Sequence, residues 1–127
     1  MGQSTPPTKT VVLVVEDEPL QRMMAVDLVL DAGFEVLEAW SADEAVAILE
    51  SRSDIRIVFT DVDMPGSMDG LKLAAAIRDR WPPIEIIVAS GHVRIDDIDL
   101  PDRSVFFSKP YDTDQLTAQL NRMAALN

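Results

Sequence analysis

Residues 57 to 66 have the sequence Ile-Val-Phe-Thr-Asp-Val-Asp-Met-Pro-Gly, and this stretch decides the fold. The run from Ile57 to Thr60 is entirely β-branched or aromatic, which is typical of a strand that is covered on both faces. Such strands belong mainly to parallel sheets with helices on either side. Asp61 follows the run directly, so an acid stands at the carboxyl end of the predicted strand.

Four other segments also have the pattern of strands. Three of them are near-continuous apolar runs, which predicts buried strands at Val11 to Val15, Ile84 to Ala89 and Val105 to Phe107. The fragment Glu35 to Ala39 alternates polar and apolar residues, which predicts a strand at the edge of the sheet. Five strands are therefore expected.

Helical patterns fill most of the segments between these strands. Helices are predicted after Pro19, after the capping box formed by Ser41 and Glu44, at about Met68 to Arg80, and at about Thr113 to Leu126. Gly33 stands where the first helix would end in a left-handed residue. The segment between Ser90 and Lys109 is short and rich in aspartate, so a fourth helix there is expected to be short or irregular.

The alternation of strands and helices predicts an α/β fold with a doubly wound parallel sheet. Right-handed crossovers place helices on both faces of such a sheet. We expect a flavodoxin-like fold with the strand order 2-1-3-4-5. In that order ligands gather beyond the carboxyl ends of strands 1 and 3, where the direction of the connections changes.

Composition restricts the functions that are open to the chain. Its 127 residues fit one domain, with 47% apolar and 26% charged residues, as in an ordinary globular protein. The net charge of -11 disfavours binding to nucleic acid. The absence of cysteine excludes disulfides, thiolate metal sites and thiol catalysis.

The start of the chain is expected to be separate from the folded domain. Residues 1 to 10 are polar and contain proline, and we predict a disordered N-terminal tail followed by one domain over residues 11 to 127. The tail lacks the apolar stretch of a signal peptide, and no segment has the length and hydropathy of a membrane span. We therefore expect a cytoplasmic protein without a membrane partner.

Acids from two neighbouring strands are expected to meet at one edge of the sheet. Glu16 and Asp17 follow strand 1, and Asp61 ends strand 3. Packed carboxylates repel one another and would take up protons unless a cation lies among them, and hard oxygen ligands favour an ion such as Mg²⁺. A divalent metal site is the resulting hypothesis.

The ends of strands 4 and 5 add a hydroxyl and a cation to this edge. Ser90 is followed by a glycine, and Lys109 by a proline. Acids, a hydroxyl and a lysine at consecutive strand ends would surround a phosphoryl group in transfer, whose oxygens need neutralising charge. An aspartate can itself be the nucleophile and form an acyl phosphate, and Asp61 is the candidate.

Four motifs, each at the end of a predicted strand, resemble those of response-regulator receiver domains in two-component signalling. They are Val-Val-Glu16-Asp17-Glu18-Pro, Thr-Asp61-Val-Asp63-Met-Pro-Gly, Ser90-Gly and Phe106-Phe-Ser-Lys109-Pro110. The resemblance covers roughly Thr10 to the C-terminus and extends to the receivers of hybrid sensor kinases. It implies the CheY-like form of the predicted fold.

The resemblance also implies a ligand set for Mg²⁺. Asp61 would be the phosphoacceptor and would bind the ion together with Asp17 and the backbone carbonyl of Asp63. Glu16, which stands where aspartate is commoner in the family, would act through a metal-bound water.

Other roles are implied by the same resemblance. Lys109 would contact the phosphoryl and carboxylate oxygens, and the Lys109–Pro110 bond would be cis. The Ser90 hydroxyl would be drawn toward the phosphate, and Phe106 would be a switch aromatic that turns inward with it. The implied donor is a histidine kinase or a phosphotransfer protein, and the implied output is contact with an unknown downstream protein. The domain would catalyse only its own phosphorylation and dephosphorylation.

Alternatives remain open from the residues alone. The Asp61-Val-Asp63 sequence also suits a small haloacid-dehalogenase-like phosphatase, in which Asp63 would be the general acid and base. A binding module that has lost phosphorylation is a third hypothesis. An acid at a strand end is often only a solvated loop residue, and Phe106 would equally suit core packing. Trp40 and Trp81 are expected to be packing residues, and His92 a solvated loop histidine.

Overall fold

The computed structural model describes residues 9–64, 66, 68–92 and 99–126 of the chain. Its strands are β1 (Val11–Val15), β2 (Glu35–Ala39), β3 (Ile55–Asp61), β4 (Glu85–Ser90) and β5 (Ser104–Ser108). The helices within these ranges are α1 (Pro19–Asp31), α2 (Ala42–Ser51), α3 (Gly70–Arg80) and α4 (Thr113–Ala125). Residues 93–98 of the segment between Ser90 and Lys109, where the short fourth helix is predicted, fall outside the described residues, as does most of the predicted tail.

All five strands form one parallel sheet in the order β2-β1-β3-β4-β5. This confirms the predicted strand order and the edge position of β2. The central strand β3 pairs with β1 on one side and β4 on the other, so that Val15 lies opposite Thr60, and Asp61 lies opposite Ala89. The carboxyl ends of β1, β3 and β4 therefore lie side by side.

The helices cover the sheet on both faces and bury a separate core on each. Alternate residues of β1 point to opposite sides, because side chains along a strand alternate. Leu13 packs with the buried residues of α2 and α3, whereas Val12 and Val14 pack with those of α1 and α4. All three of these side chains are buried, and this explains the continuous apolar run of β1.

Local signals set the ends of the first two helices as predicted. Pro19 begins α1 after Glu18, whose side chain accepts from the backbone N–H of Gln21 at 2.8 Å. Gly33 follows α1 with a φ of 97°, a left-handed conformation that suits glycine. The Ser41 hydroxyl accepts from the Glu44 N–H at 3.0 Å and begins α2.

Helix α3 begins two residues later than predicted. Asp69 is its N-cap and accepts from the Lys72 N–H at 2.9 Å, so the helix starts at Gly70 rather than at Met68. The Gly70 N–H donates to the Val62 carbonyl at 3.0 Å, which brings the helix onto the end of β3. A Cβ atom at Gly70 would lie 2.0 Å from the Asp61 carbonyl oxygen, so only glycine fits this contact.

Arg78 holds the approach to β5 against α3, which the sequence did not indicate. Its Nε donates to the Asp102 carbonyl at 2.6 Å, and its Nη2 donates to the Ile84 carbonyl at 2.8 Å. These contacts join the end of α3 to the segments that precede β4 and β5.

Within the described residues, none of the helices is both long and apolar enough to span a membrane.

Candidate functional site

Three carboxylates meet at the carboxyl ends of β1 and β3, as predicted. Glu16, Asp17 and Asp61 each offer one oxygen, and these oxygens all lie within 4.8 Å of one another. Glu16 and Asp61 are only 6% and 7% exposed, whereas Asp17 is partly exposed. Carboxylate oxygens at this spacing, with one side open to water, suit a hard divalent cation that keeps part of its hydration shell. The residues present therefore fit an Mg²⁺ ion.

Lys109 reaches into this acidic cluster from the end of β5. Its Nζ lies 2.8 Å from Asp61 Oδ1 and 3.2 Å from Glu16 Oε1. The Lys109 N–H donates to the Ser90 carbonyl at 2.9 Å, and the peptide bond to Pro110 is cis, as the resemblance implied. One ammonium group thus partly neutralises two buried acids.

The electrostatic balance of the cluster favours proton or cation uptake. Burial raises the pKa of Asp61, and the charges of Asp63 and Asp17 add to this shift, although Lys109 opposes it. Burial likewise raises the pKa of Glu16. Burial would lower the pKa of Lys109, but its hydrogen bond and ion pair with Asp61 outweigh this effect and leave the pKa raised. The single lysine charge does not fully compensate the acids.

Gln21 is a further partner of the lysine that sequence analysis missed. Its Oε1 accepts from Lys109 Nζ at 2.8 Å. Gln21 lies in the first turn of α1, which begins after the Glu18 cap. The sequence signals a role for Gln21 only by placing it in the first helical turn after Glu16 and Asp17. No motif distinguishes it from a surface glutamine.

Ser90 lies at the end of β4, but its hydroxyl is directed to Asp63. Ser90 Oγ donates to Asp63 Oδ2 at 2.8 Å and accepts from the His92 N–H at 3.1 Å. Ser90 is fully buried, whereas Asp63 and His92 are exposed. The sequence placed Ser90 beside Asp61 but did not predict this bond to the Asp63 side chain.

Phe106 lies in β5, three residues before Lys109. It is half-buried and packs against the core on the side of α2 and α3. This position suits core packing as well as a side chain that moves, so its switch role stays a prediction.

Helix α1 presents apolar side chains beside the acidic cluster. Leu20, Met23 and Met24 are 58%, 55% and 62% exposed. Met24 also lines an open cavity of about 450 Å³, which contains Asp61 and Lys109 in its wall. Its apolar lining comes from α1, from the strands β1, β3 and β4, and from the segment between β5 and α4, and it includes Met24, Leu28, Phe59 and Tyr111.

Arg22 contacts the backbone of Glu16 and the side chains of Glu38 and Trp40. Arg22 Nη1 donates to the Glu16 carbonyl at 3.0 Å, and its Nε lies 3.3 Å from Glu38 Oε1. The guanidinium lies 5.9 Å from the centre of the Trp40 ring. Trp40 is 61% exposed, so its predicted packing role is wrong; Trp81, in contrast, packs against the core.

Residues 12–121 match the response regulator receiver domain family. The chain is 34% identical to the sensor kinase CckA of Brucella abortus over 116 residues, which cover 88% of this chain and 12% of that protein. Among solved structures, the receiver domain of the hybrid histidine kinase CckA has 31% identity and a TM-score of 0.75, with 89% of this chain and 97% of that chain covered.

A second solved structure is similar to the whole described fold. It is the response regulator TrrA of Thermotoga maritima in complex with Mg²⁺ and BeF, with 26% identity, a TM-score of 0.80, and coverage of 90% of this chain and 98% of that chain. The chain spans a quarter or less of the length of the curated relatives it matches. Its sequence and fold together show that the chain belongs to the response regulator receiver domain family, the signalling domains of two-component systems.

Proposed function

We propose that the chain is a phosphoacceptor domain in which Asp61 takes a phosphoryl group from a histidine kinase or a phosphotransfer protein. The observation that carries this proposal is the contact of 2.8 Å between Lys109 Nζ and Asp61 Oδ1, at a centre where two further carboxylates gather. The arrangement combines a nucleophile, a fixed cation and ligands for a metal ion. These are the parts that favour phosphoryl transfer to a carboxylate.

In the proposed step, a phosphoryl group moves from a histidine nitrogen of the donor to a carboxylate oxygen of Asp61. A carboxylate oxygen of Asp61 attacks the phosphorus of a phosphohistidine, and the P–O bond forms as the P–N bond breaks. The electron pair of the broken bond stays with the imidazole nitrogen. The Lys109 ammonium neutralises charge on the carboxylate and the phosphoryl oxygens. Asp17, Asp61 and the Asp63 carbonyl would hold an Mg²⁺ ion, with Glu16 acting through a metal-bound water, and the ion would supply further neutralising charge.

The surroundings of Asp61 support a protein as the donor. Helix α1 has three exposed apolar side chains, Leu20, Met23 and Met24, and Met24 also lines the largely apolar cavity that contains Asp61. Contiguous exposed apolar side chains commonly mark sites of protein contact. The complex of the relative TrrA with Mg²⁺ and BeF supports Mg²⁺ as the ion.

The output of the proposed modification is a change in protein contact. Ser90 ends β4 and Phe106 lies in the middle of β5. Movement of the Ser90 hydroxyl toward the phosphoryl group, with Phe106 turning inward, would alter the surface around β5 and α4. The net charge of -11 supports a protein rather than a nucleic acid as downstream partner. The proposed location is the cytoplasm, where histidine kinases present their phosphohistidine.

The phosphatase alternative has weaker support. It requires Asp63 to be a general acid and base, yet the Asp63 carboxylate accepts the hydrogen bond of Ser90. It also gives no role to Glu16, which lies in the same cluster as Asp61. Turnover of an added phosphate ester that depends on the Asp63 carboxylate would favour it.

Intact mass spectrometry tests the proposal. The protein is incubated with Mg²⁺ and acetyl phosphate, and the wild type is expected to gain one phosphoryl group that Asp61→Asn does not gain. Asp79→Asn is the matched control, because Asp79 is an exposed aspartate on α3 remote from the cluster. A wild type that stays unmodified, or an Asp61→Asn variant that is modified equally, contradicts the proposal.

A further inference from the structure

The Ser90 hydroxyl carries one hydrogen, and in this structure it donates that hydrogen to Asp63. Ser90 Oγ lies 2.8 Å from Asp63 Oδ2, and it accepts from the His92 N–H at 3.1 Å. The hydroxyl is buried at the end of β4, with 0% of the residue exposed. A hydroxyl has a single O–H donor, so this bond excludes simultaneous donation to another acceptor.

The Asp63 carboxylate is held in place to receive this bond. Val62, its neighbour, donates its N–H to the Ala89 carbonyl at 2.9 Å and accepts at its own carbonyl from the Gly70 N–H at 3.0 Å. The loop after β3 is thus fixed to β4 on one side and to α3 on the other. The acceptor lies in the loop after β3 and the donor at the end of the adjacent strand β4, although 27 positions separate them in the chain.

We propose that the Asp63 side chain is a latch that holds the Ser90 hydroxyl in the unmodified arrangement. This inference rests on the proposed function, in which a phosphoryl group on Asp61 becomes a second anionic acceptor for the same hydrogen. Asp63 and the phosphoryl oxygens then compete for Ser90, and the strength of the Asp63 bond sets the fraction of modified protein that switches. Asp63 is a positioning residue, because its carboxylate acts through Ser90.

The balance between the two acceptors suits a reversible switch. A hydrogen bond to a charged group is stronger than one between neutral groups. Asp63 is exposed, however, so water competes for its carboxylate and weakens the bond. Loss of the latch is therefore expected to shift the equilibrium by about 5- to 20-fold toward the arrangement in which Ser90 contacts the phosphoryl group.

A double-mutant cycle with Asp63→Ala and Ser90→Ala tests the latch. The probe is beryllofluoride with Mg²⁺, and its dissociation constant is measured by calorimetry for the wild type, both single variants and the double variant. Asp63→Ala is expected to tighten binding about 5- to 20-fold when Ser90 is present. It is expected to act much more weakly in the Ser90→Ala background, where no hydroxyl is released.

The double-mutant cycle distinguishes two causes of tighter beryllofluoride binding in Asp63→Ala: release of the Ser90 hydroxyl and relief of charge repulsion. Asp63 is an anion near Asp61, and removal of its charge alone would aid beryllofluoride binding equally in both backgrounds. Equal effects in the two backgrounds would therefore overturn the latch. Asp63→Asn keeps an acceptor oxygen for Ser90 but loses the charge, so it should give a smaller gain than Asp63→Ala. A gain as large as that of Asp63→Ala would also contradict the proposal.

A second measurement needs neither Mg²⁺ nor a phosphate analogue. Three-bond NMR couplings report the χ1 rotamer of Ser90 in the free protein. The wild type is expected to hold one rotamer, and Asp63→Ala is expected to average over more than one. Unchanged couplings in Asp63→Ala would show that Asp63 does not hold Ser90. A wild type that fails to bind beryllofluoride counts against the proposed function, and the couplings then decide the latch by themselves.

Discussion

Lys109 Nζ lies 2.8 Å from Asp61 Oδ1 and also 3.2 Å from Glu16 Oε1, although 93 positions separate Lys109 from Glu16 in the chain. The lysine bridges the ends of β1, β3 and β5 with one charge. Because both acids are buried, they depend on this cation, or on a bound metal ion, for neutralisation. The consequences of this arrangement can be measured.

Lys109→Ala is expected to keep the phosphoacceptor but to weaken the response to phosphate. The variant retains Asp61 and its neighbouring acids, so intact mass should still show a phosphoryl group after treatment with acetyl phosphate. Loss of the ammonium removes a charge-assisted contact, and beryllofluoride affinity should fall by roughly tenfold or more. Lys72→Ala, an exposed lysine on α3, is the control. Wild-type affinity and spectral change in Lys109→Ala would contradict the assigned role.

Mg²⁺ affinity is expected to fall as the solution becomes acidic, beginning above the usual pKa of a carboxyl group. Burial raises the pKa of Asp61 and that of Glu16, so protons compete with the ion at a higher pH than they would for exposed acids. The fall should approach about tenfold per pH unit, for each group that must lose a proton, once the pH is below the raised pKa of that group. Calorimetric titrations with Mg²⁺ between ~pH 7 and ~pH 5 measure this, and a flat profile would exclude competition by raised-pKa acids.

Asp61→Asn is expected to stabilise the metal-free protein at neutral pH. The folded-state pKa of Asp61 is raised, so the stabilising effect of its protonated form is present at low pH and is lost as the pH rises through that pKa. Asparagine avoids the burial of an uncompensated charge, and the gain should be about 1–2 kcal/mol at ~pH 7 and smaller at ~pH 4. Urea denaturation in the presence of a chelator measures the free energy of unfolding. A variant less stable than the wild type at neutral pH would contradict the prediction.

Gly70→Ala is expected to destabilise the fold and disturb the acidic cluster. The added Cβ would lie 2.0 Å from the Asp61 carbonyl oxygen, so α3 or the end of β3 must move. The cost should be about 2–3 kcal/mol in the free energy of unfolding, with weaker Mg²⁺ binding. Gly91→Ala is a matched control, because its Cβ would lie 3.7 Å from Lys109 Cβ, an ordinary contact. Similar stability losses in both variants would show that the contact at Gly70 is not the cause.

Patterns among residues that are close together in the sequence were enough to predict most of the fold. Four of the strands appeared as short apolar runs, and β2 appeared as an alternating segment. A strand with helices on both faces buries every side chain, as in β1, whereas the edge strand β5 is only partly buried although its apolar run predicted burial. Gly33 and the Ser41–Glu44 pair marked helix ends, because capping depends on residues within one turn. The start of α3 was placed too early, since the Gly70 contact with Val62 comes from the packing of the helix on β3.

The members of the acidic cluster were also predictable from the sequence, for a physical reason. Parallel strands end at the same edge of a sheet, so residues that follow successive strands must meet there. The strand positions alone therefore place four residues at this edge, namely Glu16, Asp17, Asp61 and Lys109. The sequence by itself thus determined the topology, the location of the site and its chemical composition.

Only the tertiary structure decided which of these groups pair. The bonds from Lys109 to Gln21 and from Ser90 to Asp63 join residues far apart in the chain, and they depend on side-chain rotamers and loop positions that have no periodic signal. The exposure of Trp40 is a further case, because residue type indicates a tendency to be buried but not the position of a side chain relative to the core. The order and direction of the strands place the site residues at the carboxyl edge of the sheet. The packing of side chains and loops around them then decides which hydrogen bonds form.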